Sequence, residues 1–174
     1  LVWEEKASVA TGVGGDAVEV LNGEIVYTSG TFFQRFDKQS DSWQSLSSMQ
    51  VARGNHASAV LNNKLFVIGG QENTTWFSSV EIYDSNNDSW SFGPALQDNL
   101  VQASAITFNG KIYVFGGYSP QGSGMNQVLC FDPVTNSWGS MANMPTPRSA
   151  LSLVLFENRI WVIGGWNGGS KSTV

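Results

Sequence analysis

With one cysteine, one histidine and 13% charged residues, this 174-residue chain has few side chains able to do chemistry. The lone Cys130 excludes an internal disulfide and is compatible with a cytoplasmic setting. The lone His56 must serve in any Ser-His-Asp, Cys-His or multi-histidine metal site, and no metal-ligand spacing surrounds it. Only 9 Lys and Arg stand against 14 Asp and Glu, a net charge of −5, and the basic residues do not cluster. A phosphate backbone needs such a cluster, so nucleic acid is not an expected partner. No apolar run approaches the roughly 20 residues of a membrane-spanning helix, so no membrane role is expected. No segment of ten or more residues holds a helical period.

Aromatics and glycine are abundant instead: 7 Trp, 10 Phe, 4 Tyr and 19 Gly. Aromatic residues favour strands and glycine favours tight turns, so the composition points to many short strands. The decisive signal is a period. Gly-Gly pairs fall at Gly69-Gly70, Gly116-Gly117 and Gly164-Gly165, spaced by 47 and 48 residues. An aromatic-Asp pair recurs at Phe36-Asp37, Tyr83-Asp84 and Phe131-Asp132, each followed six residues later by Trp43, Trp90 or Trp138.

Each unit reads as four strands, a to d. In the second unit, His56–Leu61 is strand a, Asn62-Asn63 a two-residue turn, and Lys64–Ile68 strand b, ended by the Gly-Gly pair. Val80–Asp84 is strand c, with Val80, Ile82 and Asp84 alternating against Glu81 and Tyr83. Strand d surrounds Trp90. The third unit repeats this with Ala103–Phe108, the hairpin pair Asn109-Gly110, Lys111–Phe115, Val128–Asp132 and Trp138. The first unit has Ser29-Gly30 in the Gly-Gly slot and almost no b–c loop.

These residues resemble the Kelch repeat, a four-stranded propeller blade of about 50 residues. The expected fold is all-β: Kelch-type propeller blades, four-stranded and antiparallel, in an incomplete ring. The resemblance implies strand a innermost at a central channel and strand d outermost. Trp3 stands in the register of Trp43, Trp90 and Trp138, so Leu1–Glu5 is expected as the outer strand of a preceding blade. Ser172-Thr173-Val174 matches Ser78-Ser79-Val80, the start of strand c. The expected division is a strand remnant in 1–11, blades in 12–51, 52–98 and 99–146, and half a blade in 147–174. A self-closing four-blade ring is the alternative. An open arc would expose strand edges and favour edge-to-edge self-association.

The chemical residues mostly read as structural. Asp37, Asp84 and Asp132 recur before turns, where a carboxylate accepts backbone N–H bonds. Cys130 occupies the slot of Ile82 and is expected to be a small buried hydrophobe. His56 is expected near the channel wall, bonded to backbone or water. The Gly-Gly pairs end strands and lead into no helix, unlike phosphate-cradling loops. Trp43, Trp90 and Trp138 are expected to be largely buried.

Arg53 and Arg148 each precede a Gly-Gly pair by 16 residues, in the d–a connection. The family resemblance implies that this connection and the b–c loop emerge on one face, where arginines of adaptor relatives contact acidic peptide groups. A structural arginine bonding loop carbonyls is the competing reading. The b–c loops add Trp76, Tyr118, Gln121, Trp166 and Asn167, residue types common at binding hot spots. The expected ligand face therefore carries Arg53, Arg148, Trp76, Tyr118, Gln121, Trp166 and Asn167. The expected function is non-catalytic binding of a protein or peptide, with no cofactor or metal, in an adaptor that could recruit substrates. The alternative is a carbohydrate-acting Kelch-like enzyme such as a sugar mutarotase, using Arg, Glu and stacking Trp.

Overall fold

The computed structural model describes residues 3–9, 16–120 and 122–166. Three four-stranded sheets follow one another along the chain. The first comprises β1 (Ala17–Leu21), β2 (Glu24–Ser29), β3 (Phe32–Asp37) and β4 (Ser42–Ser45). The second is β5 (Ala57–Leu61), β6 (Lys64–Ile68), β9 (Val80–Asp84) and β10 (Ser89–Phe92). Between β6 and β9 its long loop folds into a small hairpin, β7 (Gln71–Glu72) with β8 (Thr75–Trp76). The third is β11 (Ser104–Phe108), β12 (Lys111–Phe115), β13 (Val128–Asp132) and β14 (Ser137–Ser140). A two-stranded sheet, β15 (Ser152–Phe156) with β16 (Arg159–Ile163), comes last. All pairings are antiparallel. No helix occurs among the described residues.

The first strands β1, β5, β11 and β15 lie side by side, so the sheets radiate from a shared inner wall. The second sheet is covered on both faces. Leu65, Val67 and Tyr83 of the second sheet pack against Leu21, Val26 and Phe33 of the first. From its other face Ala57, Ala59, Phe66 and Ile68 pack against Ile112, Val114 and Phe131 of the third. The alternation expected in β9 therefore fails. Glu81 and Tyr83 are as buried as Val80, because a sheet between two sheets has no solvent face.

Sheet-to-sheet packing is fastened by the recurring tryptophans. Trp43 donates its indole N–H to Ala7 O at 2.9 Å, Trp90 to Ser47 O at 2.7 Å, and Trp138 to Pro94 O at 2.9 Å. Each acceptor lies four residues after the preceding copy of the tryptophan. Ala7 thus keeps the repeat register set by Trp3. The outer strand expected at Leu1–Glu5 does not form over Trp3–Glu5, while Leu1 and Val2 lie outside the described residues. Trp3 is 94% exposed, since among the described residues no strand stands beside it as β3, β9 and β13 do for the other copies. Trp43, Trp90 and Trp138 are part-buried rather than enclosed. Ser172–Val174 also lie outside the described residues.

The recurring carboxylates hold turns, as expected. Asp37 accepts from Gln39 N, Asp84 from Asn86 N and Asp132 from Val134 N, at 2.8–3.0 Å. Asp84 and Asp132 also pair with Lys64 and Lys111. Cys130 is buried.

Candidate functional site

The loop rim is built by a repeated exchange of backbone bonds. The residue after each Gly-Gly pair doubles back onto the d–a connection. Gln71 exchanges bonds with Gly54, Trp166 with Ser149, and Tyr118 N donates to Val101 O. The next residue of each connection, Asn55, Gln102 or Ala150, adopts a positive φ of 53°, 53° or 48°. Those three are linked from sheet to sheet: Gln102 N donates to Asn55 O at 2.9 Å and Ala150 N to Gln102 O at 2.8 Å. Left-handed backbone costs a non-glycine residue about 1–2 kcal/mol, so packing and hydrogen bonds hold this rim in its shape.

On this rim three rings form a row. Tyr118 lies 6.2 Å from Trp76 and 5.8 Å from Trp166, centroid to centroid, with interplanar tilts of 40° and 44°. Tyr118 and Trp166 occupy the same repeat slot. Trp76 arrives differently, carried beside Gln71 by the β7–β8 hairpin. The row lines a cleft of ≈ 440 Å³ whose remaining walls are Gln71, Val101, Gln102, Ser149 and Ala150. The structure thus brings together Trp76, Tyr118 and Trp166 from the expected ligand face. Gln121 and Asn167 lie outside the described residues.

The arginines lie elsewhere. Arg53 is 1% exposed and donates to Gly69 O at 2.8 Å, Ser79 O at 3.0 Å, Ser79 Oγ at 3.1 Å and Glu81 Oε1 at 2.8 Å. Its guanidinium also lies over the Phe77 ring. Burial pulls its pKa down, and Glu81 opposes that shift. Glu81 accepts two further bonds, from Gln50 N and Val51 N. Arg148 is buried too and donates to Gly164 O at 2.9 Å, the counterpart of the Arg53–Gly69 bond. At this slot the side chain turns inward and clasps loop carbonyls, which is the structural alternative. An arginine there shapes the rim from beneath.

Sequence reasoning missed Gln71, Gln102 and Ala150. The spacing held the signal: Asn55, Gln102 and Ala150 recur at intervals of 47 and 48, as do Gln71, Tyr118 and Trp166.

The other chemical groups are buried or half-buried in the sheets, and among the described residues the Nδ1 of His56 has no hydrogen-bond partner. His56 Nε2 stands 2.9 Å from Thr28 Oγ1. Burial, reinforced by the Arg53 charge, lowers the His56 pKa to about 4. Glu19 accepts a bond from Ser58 Oγ at 2.7 Å on the inner wall, and burial raises its pKa. Among the described residues no three His, Cys, Asp or Glu side chains are grouped to hold a metal.

The model of the KLHDC2/KLHL20/DRC7 Kelch-repeats domain matches residues 27–165. Kelch-like protein 24a of Danio rerio is 44% identical over 153 residues, covering 86% of this chain and 26% of that protein. Kelch-like ECH-associated protein 1B of Danio rerio is 30% identical over 153 residues, 83% of this chain and 18% of the relative. Alpha-scruin of Limulus polyphemus is 27% identical over 161 residues, 88% of this chain and 17% of the relative. The chain therefore spans between 17% and 26% of the length of these relatives. The solved structure of YjhT matches with a TM-score of 0.82 at 19% identity, covering 92% of this chain and 60% of that one. That likeness agrees with the radiating four-stranded sheets.

Proposed function

The chain belongs to the Kelch-repeat family, and on that premise we propose that it is a non-catalytic module whose loop rim binds a protein or peptide. The observation that carries this reading is the Trp76–Tyr118–Trp166 row above the ≈ 440 Å³ cleft. Aromatic rings supply large contact area at low entropic cost and dominate binding hot spots. Loops on a rigid sheet scaffold are where such contacts concentrate. Kelch-like protein 24a and Kelch-like ECH-associated protein 1B are longer than this chain. In a longer protein of this kind the rim would recruit a substrate for other domains. The residue ranges 12–51, 52–98 and 99–146 serve as its successive blades.

The test is selection of binders from a displayed library of random dodecapeptides, followed by Tyr118→Ala and Trp166→Ala. Selected peptides are expected to lose at least tenfold in affinity in either variant, with the melting temperature unchanged. Binders unaffected by both substitutions would move the site off the rim. Turnover of a reducing sugar by the unmodified chain would favour the carbohydrate-acting alternative.

A further inference from the structure

The chemistry of the rim narrows its ligand. Among the described residues no charged side chain lines the cleft under the aromatic row, and Arg53 and Arg148 are both buried. The row itself therefore offers no cation to an acidic peptide. Its two outer tryptophans hold unspent donors: among the described residues, neither Trp76 nor Trp166 has an acceptor for its indole N–H. Trp43, Trp90 and Trp138, by contrast, all donate theirs to backbone carbonyls. The occupant should therefore be neutral along the row, fit notches between tilted rings, and present free carbonyls at its surface.

A polyproline II segment has those properties. It makes no internal hydrogen bonds, so its carbonyls are free, and its ring-bearing side chains fit between aromatic ridges. The outer rings lie at most about 12 Å apart, the rise of roughly four polyproline II residues. One turn of Pro-x-x-Pro, rising about 9 Å, thus fits inside the row with both prolines on one face. Beyond Gln71 a second cleft of ≈ 340 Å³ runs over Arg53 and past Asn55, Asn73 and the exposed carboxylate of Glu72. With Arg53 neutralised by Glu81, Glu72 is the charge that faces solvent at that end. We propose that the groove from Trp166 through Tyr118 and Trp76 to Glu72 binds a proline-rich segment in the polyproline II conformation. A basic residue flanks the prolines at the Glu72 end. This rests on the reading of the rim as a peptide site.

The experiment is calorimetric titration of the whole chain with four probes. These are a decapeptide of one arginine followed by two Pro-x-x-Pro turns, the same peptide with alanine for proline, an aspartate-rich decapeptide, and maltohexaose. The proline peptide is expected to bind and perturb tryptophan fluorescence, and the alanine peptide to bind at least tenfold more weakly. Trp166→Ala should cost about tenfold. Trp76→Phe, which keeps a ring and removes the N–H, should cost several-fold. Glu72→Gln should weaken the arginine peptide while leaving an arginine-free version unchanged. Circular dichroism and melting temperature confirm that each variant folds. Equal binding of the proline and alanine peptides, or preference for the aspartate peptide, overturns the polyproline assignment and leaves the rim a peptide site. Binding of maltohexaose alone overturns both readings. No binding of the proline peptide at 1 mM, about −4 kcal/mol, also overturns the polyproline assignment.

Discussion

Arg53 Nη2 stands 2.8 Å from Glu81 Oε1, and both side chains are wholly enclosed. The pair ties the connection entering β5 to the strand β9 of the same sheet. The third sheet solves the same problem without charge, because Leu100 fills the arginine slot and Leu129 the glutamate slot.

Glu81→Leu alone should destabilise the fold by about 3–5 kcal/mol, because it strands a buried guanidinium. Arg53→Leu with Glu81→Leu should recover most of that loss, since an apolar pair can replace a buried ion pair at little cost. Urea midpoints of the two single variants and the double variant measure the coupling. A loss in the double variant equal to the sum of the two single losses would show that the pairing itself contributes nothing.

Protonation of His56 should weaken the fold in acid. Its pKa in the folded chain is about 4, below the usual 6.5, so the unfolded chain takes up the proton first as pH falls. No difference arises above about pH 6.5, and stability drains away between there and pH 4. The loss approaches about 3 kcal/mol. His56→Ala, matching Ala103 in the next repeat, should flatten this slope. The comparison is between urea midpoints of parent and variant from pH 7.5 to pH 4.5.

Trp90→Phe should cost about 1–3 kcal/mol, because it leaves Ser47 O without its donor while keeping a ring against Phe33 and Tyr83. Trp90→Ala should cost more, about 3–5 kcal/mol, by opening a cavity. An unchanged unfolding midpoint in Trp90→Ala would remove this residue from the packing account.

Gly69 and Gly110 both have positive φ, at 65° and 72°. A methyl group on Gly69 would meet the Leu100 carbonyl, whereas one on Gly110 would meet open space. Gly110→Ala should therefore cost only backbone strain, about 1–2 kcal/mol. Gly69→Ala should cost clearly more and reduce the soluble yield. Thermal melts of the two variants under one condition decide it.

Strand positions were legible because the period fixes them. Lys64–Ile68, Val80–Asp84, Lys111–Phe115 and Val128–Asp132 are as expected, and β5 and β11 each begin one residue later than expected. Side-chain direction in the connections was not legible. Spacing placed Arg53 sixteen residues before Gly69, but only the fold shows that it bonds that glycine's carbonyl. Its partner Glu81 was hidden by strand alternation, which assumes a solvent face that a sandwiched sheet lacks. The aromatic row was half visible. Tyr118 and Trp166 share a repeat slot, while Trp76 joins them through a hairpin peculiar to one loop.

Every indole clasp points backwards: Trp43 to Ala7, Trp90 to Ser47 and Trp138 to Pro94. A ribosome delivers the acceptor before the donor in each case. Along this clasp a nascent unit docks on structure already made, while backbone bonds such as Gly70 N to Leu100 O and Gly117 N to Arg148 O await the next unit. The coupling is vectorial. At the clasp itself, removing a later unit frees a carbonyl, whereas removing an earlier one frees an indole N–H in the unit that remains.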